Sequence, residues 1–194
     1  MRRLSFDRDY YVRYYENPAT SVVSPAMQRN EVRFVIAFCR HASVKVARFA
    51  DVGAGTGWWA REFARQYPSC LVIETFDASE AACERYGHKR LRLEKLSGRA
   101  ADLVVCRDVL RYLPDAEAEE GIRRLARKTR GVLYLQVITR EDEIDEEASD
   151  LGGYFRTAGW YRRRLRDAGF LDCGMGLFVS SRLKTFTPWK IEAR

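Results

Sequence analysis

The sequence predicts an α/β fold in which parallel β-strands alternate with α-helices. Apolar runs that suit buried strands alternate with amphipathic runs that suit helices along most of the chain. The clearest unit is the apolar run 46–50, which is followed by a glycine-rich turn at 51–57 and then by a helical segment. Such strand–turn–helix units build parallel sheets covered by helices. The chain has 194 residues and no internal repeat, so we expect one domain with a sizeable core.

The glycine-rich turn places Gly53, Gly55 and Gly57 at alternate positions behind Asp51. Glycine lets backbone N–H groups approach a ligand where a Cβ would clash, and the N-terminus of the following helix adds partial positive charge. Dinucleotide-binding turns follow the pattern G-x-G-x-x-G, and Trp58 stands where their third glycine would be. The spacing therefore argues against NAD and favours a smaller adenosyl ligand.

A second strand and helix follow in the expected order. A helix is predicted over Trp58–Gln66 and a strand over 71–77. Asp77 ends this strand about twenty residues past the glycine turn, the offset at which a carboxylate can reach a pair of ribose hydroxyls. Ser79 is a suitable N-cap for a helix over Glu80–Tyr86.

The remaining elements are predicted on either side of these units. Upstream, 25–40 is predicted to be a helix that directs its apolar residues inward. Downstream, Gly131 is expected to stop a helix, and a last helix is expected to carry Trp160, Tyr161 and Leu165. The predicted downstream segments are a strand from 101, a helix at 116–127, and strands at 132–138, 171–175 and 177–182.

Taken together, these motifs resemble those of the class I S-adenosylmethionine-dependent methyltransferases. The family's first motif is an acid followed by three alternating glycines, and its second is an acid at the end of strand two, where this chain has Asp77. Residues 101–115 are similar to the fourth strand and its turn, with Asp-Leu-Val-Val at the start and Leu-Pro-Asp at the end. The similarity includes Asp-Ala-Gly-Phe at 167–170 and covers about residues 46–183 in preserved order.

The resemblance implies a Rossmann-like three-layer sandwich with a seven-stranded, mostly parallel sheet whose last strand is antiparallel. It also implies a single methyltransferase domain with an N-terminal helical cap at 1–45 and a cofactor-binding core at 46–194. S-adenosyl-L-methionine would be the cofactor. The implied activity is in-line transfer of its sulfonium methyl group to a nucleophile, which positioning alone can accelerate strongly.

Four regions are implied to bind the cofactor: the glycine turn, the end of strand two, the segment before strand four and the end of strand four. The residues are Asp51, Gly53, Ala54, Gly55, Gly57, Trp58, Asp77, Ala78, Glu94, Lys95, Leu96, Cys106 and Arg107. One element departs from the family, which commonly has Gly-Asp-Ala before strand four, with its acid on the adenine amino group. Here Glu94 is the nearest acid. Either Glu94 takes that role, or it is an exposed strand position and the backbone at 95–96 holds adenine with apolar packing.

The acceptor side of the site is less defined. Arg107, Asp108 and Tyr112, just beyond strand four, are the catalytic candidates, and no residue identifies itself as a general base. The chain lacks the Asn/Asp-Pro-Pro-aromatic signature of enzymes that methylate nucleobase and glutamine amino groups, which disfavours those substrates. Four tyrosines near the N-terminus are substrate-binding candidates, because they offer rigid apolar area with a hydroxyl group, although they could equally anchor a helix to the sheet. They are Tyr10, Tyr11, Tyr14 and Tyr15.

The composition of the chain indicates which kinds of partner and which cellular location to expect. The net charge of +7 is dispersed except at 162–166, where four arginines could contact RNA phosphates but are better explained as a solvated helix face. The acidic run at 141–147 is an acceptor loop or a solvated loop. Five scattered cysteines without C-x-x-C spacing predict reduced core thiols, and the presence of only two histidines argues against a metal site. The sequence has no long apolar run or signal peptide, so a cytoplasmic location without membrane contact is expected.

The sequence therefore predicts an S-adenosylmethionine-dependent methyltransferase that acts on an unidentified small molecule. Two alternatives stay open: a catalytically silent binding protein with the methyltransferase fold, and an RNA methyltransferase that uses the arginines at 162–166. A nicotinamide-dependent oxidoreductase is the least favoured. Nucleic acid is a less favoured partner than a small molecule, and the sequence leaves the oligomeric state open.

Overall fold

The computed structural model describes residues 6–12, 25–144 and 152–188. Within these ranges the strands are β1 (Arg48–Val52), β2 (Val72–Asp77), β3 (Lys89–Arg90), β4 (Ala101–Arg107), β5 (Thr129–Gln136), β6 (Phe170–Asp172) and β7 (Leu177–Ser180). The helices are α1 (Arg8–Tyr11), α2 (Pro25–His41), α3 (Trp58–Gln66), α4 (Glu80–Tyr86), α5 (Asp115–Lys128) and α6 (Ala158–Asp167). Short 3-10 helices cover Leu93–Lys95 and Leu110–Tyr112.

The described strands form one sheet in the order β3-β2-β1-β4-β5-β7-β6. Strands β1 to β5 are parallel to one another, and β7 runs antiparallel to β5. The predicted fold class, with its mostly parallel sheet and antiparallel last strand, is therefore confirmed. The strand order reverses between β1 and β4, and ligands of open α/β sheets bind at the carboxyl ends of the strands at such a point.

Helices cover both faces of the sheet because successive strand residues alternate between two cores. On one face Phe49 of β1 packs against Val35 of α2 and Phe63 of α3. On the other face Val104 of β4 packs against Leu125 of α5. These side chains are all fully buried. The central strands are thus covered on both sides, as their continuous apolar sequences require.

Gly131 was predicted to stop the helix before it, but it does not do so. Helix α5 ends at Lys128, and Gly131 lies inside β5, which begins at Thr129. A Cβ at Gly131 would collide with the carbonyl oxygen of Asp102 in β4. The glycine is needed because two strand backbones approach closely there, so that prediction was wrong for a tertiary reason.

The cysteines lie mostly in apolar surroundings. All five are described, and none is in a disulfide. Burial raises the pKa of the Cys39 thiol to about 12, and it also holds the pKa of the Cys106 thiol far above its ordinary value. Both thiols are therefore unreactive core groups. In the described part of the chain, no helix combines the length and apolar character needed to cross a membrane.

Candidate functional site

The glycine turn between β1 and α3 is built from left-handed backbone. Gly53, Gly55 and Gly57 have φ of 74°, 56° and 69°, a region that side chains rarely occupy. The N–H of Gly53 donates to the carbonyl oxygen of Phe76 at 2.8 Å, which ties the turn to β2. A Cβ at Gly53 would also collide with Val109 in the segment after β4. The turn therefore has to be glycine-rich, and it contacts the ends of two neighbouring strands.

Asp51, at the carboxyl end of β1, is 3% exposed. Its Oδ2 is buried and accepts no hydrogen bond from any described residue. Burial raises the pKa of this carboxyl from its ordinary 3.8 to about 7, although the positive charge of Arg107 opposes the shift and the negative charge of Asp77 adds to it. A buried carboxylate oxygen without a partner calls for a donor, and a cationic donor would also restore its ionised form.

Asp77 ends β2, beside the glycine turn. Its Oδ2 accepts the N–H of Gly55 and its Oδ1 accepts the N–H of Ser79, both at 2.8 Å. An ionised carboxylate has about four lone-pair sites, so two remain for a pair of ligand hydroxyls. Ala78, between Asp77 and Ser79, is exposed at the same edge of the sheet.

His88 supports the turn, although no sequence motif predicted it. Its Nε2 lies 2.9 Å from the carbonyl oxygen of Gly55, and its Nδ1 lies 2.9 Å from the hydroxyl of Thr75. Because a carbonyl oxygen can only accept, we assign the ring proton to Nε2, and the Thr75 hydroxyl then donates to Nδ1. A lone histidine after a helix belongs to no motif, and it lies 33 residues from Gly55, so no sequence signal pointed to it.

Glu94 lies in the 3-10 helix before β4. It is 9% exposed, so the alternative of an exposed strand position is wrong. Its Oε1 lies 2.6 Å from Nε of Arg92, whereas its buried Oε2 accepts no hydrogen bond from the described residues. Leu96 beside it is buried, and Lys95 is exposed. The segment thus pairs an unsatisfied acceptor with apolar surface.

The two residues at the end of β4 that were predicted to contact the cofactor, Cys106 and Arg107, have different surroundings. The Cys106 side chain is fully buried in the core on the α5 side, which leaves only its backbone for a ligand. Arg107 points elsewhere: its Nε donates to Oε1 of Gln136 at 2.8 Å and lies 3.0 Å from Oε1 of Glu31. Glu31, on α2, and Gln136, at the end of β5, were not found from the sequence.

Asp108 and Tyr112, the other catalytic candidates, belong to a separate cluster around Arg111. The Arg111 side chain is 2% exposed, and its Nε donates to Asp108 Oδ1 at 2.6 Å. Its Nη2 donates to the Tyr112 hydroxyl at 2.6 Å, and its Nη1 donates to the carbonyl oxygen of Gly152 at 2.7 Å. The contacts of this cluster hold the segment after β4 against the segment before α6. Of the three catalytic candidates, only Arg107 lines the cavity between α2, α6 and the ends of β4 and β5.

Residues 6–12 form an N-terminal bridge between the segments that follow β2 and β4. The carbonyl oxygen of Phe6 accepts the Ser79 hydroxyl at 2.6 Å, and the Phe6 ring lies 4.9 Å from the Tyr112 ring. The hydroxyls of Tyr10 and Tyr112 lie 3.3 Å apart. Tyr11 is buried, 3.6 Å from where a Cβ of Gly55 would stand.

The predicted substrate role of these tyrosines stays a prediction. Tyr11 lies beside Gly55 and Tyr10 beside Tyr112, next to the edge of the sheet formed by the glycine turn and Asp77, which we call the cofactor-type edge. The other two predicted substrate contacts, Tyr14 and Tyr15, lie outside the described residues.

A cavity of about 860 Å³ opens beside Arg107, between α2, α6, the ends of β4 and β5, and the turn between β6 and β7. Its walls include Phe34, Tyr161 and Phe178, and its polar residues include Glu31 and Arg107. Small-molecule sites range over roughly 300–1,000 Å³ and are mostly apolar with a few polar groups. This cavity has both properties.

The charged runs are largely engaged in local contacts. Arg164 lies 2.7 Å from Glu119 and 3.7 Å from the centre of the Trp160 ring. Arg162 lies 3.8 Å from Asp172. In the acidic run, Glu141 accepts the N–H of Ala158 at 3.0 Å, and residues 145–151 lie outside the described ranges.

Comparison with known proteins agrees with this geometry. The methyltransferase domain family matches residues 27–170. A malonyl-[acyl-carrier protein] O-methyltransferase of Gallionella capsiferriformans (strain ES-2) is 30% identical over 86 residues, which is 44% of this chain and 29% of that protein. The chain thus matches under a third of the length of this curated relative.

Solved structures share the fold. Magnesium protoporphyrin IX methyltransferase of Synechocystis PCC 6803, crystallised with SAH, superposes with a TM-score of 0.64 at 18% identity, covering 90% of this chain and 96% of that one. A SAM-bound amino pentose methyltransferase of Micromonospora echinaspora gives 0.62 at 20% identity, covering 92% and 98%. A sugar N-methyltransferase of Streptoalloteichus sp ATCC 53650 gives 0.66 at 18%, covering 92% and 94%.

The fold, the glycine turn and the family match together define the class of protein. The chain belongs to the methyltransferase domain family, and its fold is the one shared by class I S-adenosylmethionine-dependent methyltransferases, as its motifs predict. The position of each site residue follows from the structure, whereas its role stays a prediction.

Proposed function

We propose that the chain transfers a methyl group from S-adenosylmethionine to a small molecule bound in the cavity beside Arg107. One observation carries this proposal: the largely apolar cavity meets the cofactor-type edge of the sheet at this residue. Arg107 lines the cavity, and its charge acts on the Asp51 carboxyl. Donor and acceptor would therefore lie on opposite sides of one side chain.

The residues at the edge of the sheet fit the cofactor. Asp51 would take the ammonium group, since its buried oxygen lacks a partner. Asp77 would take the ribose hydroxyls beside Ala78, and Glu94 would take the adenine amino group through its unsatisfied Oε2. When bound, S-adenosylmethionine supplies an electrophilic methyl group on sulfur.

The remaining predicted contacts are divided between backbone and apolar surface. We propose that the turn presents its N–H groups, that Leu96 covers the adenine ring, and that Cys106 contributes backbone only. The further predicted contacts are Ala54, Trp58 and Lys95.

The protein's own part in the reaction is to position the reactants and exclude water. The apolar walls and the N-terminal bridge remove solvent from the cleft, which strengthens the electrostatic interactions inside it. Holding two reactants in a near-attack arrangement can lower the barrier by roughly 7–11 kcal/mol at best. No covalent intermediate with the protein is required.

Calorimetric titration with S-adenosylhomocysteine tests the cofactor half of the proposal. We expect saturable binding that Asp77→Ala weakens at least tenfold, because a ribose diol loses its charged acceptor. Glu120→Gln, on the outer face of α5, is the control and should leave binding unchanged. Absence of heat with folded wild-type protein would refute cofactor binding.

A cavity-filling variant tests the acceptor half. Asn30 lines the cavity from α2, and Asn30→Trp should abolish methyl transfer to small molecules while leaving S-adenosylhomocysteine affinity intact. No turnover by wild-type protein on a broad acceptor panel would instead favour the silent binding protein. A shift of tRNA at physiological salt, lost on charge reversal at 162–166, would favour the RNA enzyme. A cytoplasmic location also stays a prediction.

A further inference from the structure

Four polar residues on α2 and at the ends of β4 and β5 line the cavity, and we call this group the polar floor. It consists of Glu31, Arg107, Tyr134 and Gln136. The Arg107 Nε donates to Gln136, and the amide nitrogen of Gln136 donates to the Tyr134 hydroxyl. The first contact joins the end of β4 to the end of β5, and the Glu31–Arg107 ion pair adds α2, so the polar floor is fixed by three elements of the fold.

The charges of the polar floor are balanced. Oε1 of Glu31 lies 3.0 Å from Nε of Arg107, so one negative and one positive side chain form a pair. The Glu31 side chain is 13% exposed and lines the cavity. Burial, the negative charge of Glu31 and a hydrogen bond with the Glu31 carboxylate raise the pKa of Tyr134 well above its ordinary value, so its hydroxyl is neutral and donates to one side of that carboxylate.

The Glu31 carboxylate retains hydrogen-bonding capacity. Its Oε1 accepts no aligned hydrogen bond from the described residues, although it lies close to Arg107. The Arg107 Nε is meanwhile used by Gln136. Glu31 is thus the acceptor of the polar floor that a bound molecule can satisfy through a donor of its own.

The rest of the cavity wall is mostly apolar, and the other polar side chains along it include Asn30, Thr139 and Arg162. Phe34 of α2, Leu165 and Tyr161 of α6, and Phe178 of β7 contribute to its walls. Arg162 also lines the cavity, but it is 61% exposed and lies near Asp172. Its charge is therefore largely screened by solvent.

We infer that the methyl acceptor is an uncharged, mainly apolar molecule whose hydroxyl group contacts the polar floor and donates a hydrogen bond to Glu31. This inference rests on the proposed function and specifies its substrate class. A hydroxyl group can donate to a carboxylate and accept from a guanidinium together. A carboxylate can only accept and meets the charge of Glu31, whereas an ammonium group can only donate and meets the charge of Arg107. Glu31 is therefore the specificity-determining residue.

Three probes that differ only in their polar group test the inference: naphthylmethanol, naphthylmethylamine and naphthoate. Their dissociation constants are measured by calorimetry on wild-type protein, with and without saturating S-adenosylhomocysteine. We expect naphthylmethanol to bind at least tenfold more tightly than either charged probe.

The Glu31→Gln variant should invert the order. With Glu31 neutral, the Arg107 charge is no longer balanced, so naphthoate should gain at least tenfold and become the preferred probe. Glu120→Gln removes the same charge from the surface of α5 and should keep the wild-type order. Thermal unfolding and S-adenosylhomocysteine binding verify that each variant is folded.

The outcomes separate the two proposals. Preference of wild-type protein for naphthoate, an unchanged order in Glu31→Gln, or binding of S-adenosylhomocysteine but of no probe would each overturn the inference and leave cofactor binding standing. Failure to bind S-adenosylhomocysteine overturns the proposed function, and the titrations without it still decide whether the polar floor selects a hydroxyl group.

Discussion

Replacing Asp51 by asparagine should stabilise the protein at alkaline pH while weakening cofactor binding. Burial raises the pKa of Asp51 from 3.8 to about 7. At 1.36 kcal/mol per unit of pKa, ionisation of this carboxyl in the folded state is disfavoured by about 4 kcal/mol. The folded state retains the proton that the unfolded state releases, so stability falls as pH rises between about 4 and 7. An asparagine side chain at this position is neutral at every pH and avoids this loss.

Urea unfolding at two pH values measures the effect. At about pH 8 we expect Asp51→Asn to exceed wild type by up to about 4 kcal/mol, from the same pKa difference. At about pH 4 the two proteins should agree closely, since Asp51 is then protonated and neutral like the amide. Arg107 is not left unpaired in the variant, because Glu31 lies 3.0 Å from its Nε.

The same titration governs the wild-type affinity for S-adenosylhomocysteine. With a pKa of about 7, Asp51 is about one-tenth ionised at pH 6 and about nine-tenths ionised at pH 8. Affinity for a ligand ammonium group should therefore rise roughly tenfold over this interval, and Asp51→Asn should abolish the rise. A variant that is less stable than wild type at pH 8, or an affinity that does not change with pH, would contradict this reasoning. Either result would mean that Asp51 is ionised at neutral pH and that burial does not raise its pKa.

Three further substitutions probe features around the site. Gly131→Ala should destabilise the fold by about 3 kcal/mol or more, since its methyl group meets the Asp102 carbonyl in β4; a urea midpoint equal to wild type would contradict this. His88→Ala should weaken S-adenosylhomocysteine binding about tenfold by releasing Gly55, and His88→Gln should restore part of it; calorimetry with equal affinities for all three proteins would exclude the role. Phe6→Ala should speed S-adenosylhomocysteine release several-fold in stopped-flow chase experiments, because the aromatic contact with Tyr112 is worth about 1 kcal/mol, whereas an unchanged release rate would mean that the bridge does not cover the ligand.

Local sequence patterns were sufficient to predict the sheet, the glycine turn and the place of Asp77 at the end of β2, whereas the cofactor role of these residues stays a prediction. The turn at 51–57 and Asp77 are parts of strand–turn–helix units, so their spacing along the chain determines their geometry. Helix Glu80–Tyr86 was predicted to the residue, because Ser79 caps its start and Gly87 in the left-handed region ends it.

Residues that act through distant contacts could not be predicted in this way. Glu31 is adjacent in sequence to Val32, an inward-facing residue of α2. However, only the packing of α2 against the ends of β4 and β5 places Glu31 in the wall of a cavity. Gly131 was predicted to be a helix stop because glycine is common both after helices and where two strand backbones approach closely. Only the position of β4 beside it shows that the second reason applies. The sequence around a residue therefore says little about which distant residues it will contact.

The N-terminal bridge also bears on how the chain folds. Phe6 and Tyr10 contact partners that lie 73 and 102 residues later in the chain, Ser79 and Tyr112. Contacts of such long sequence separation form late, because the intervening chain must first be ordered. The N-terminal bridge therefore closes after β1 to β4 have assembled, and the folding protein passes through a stage in which the sheet is built but its ligand cleft is still uncovered.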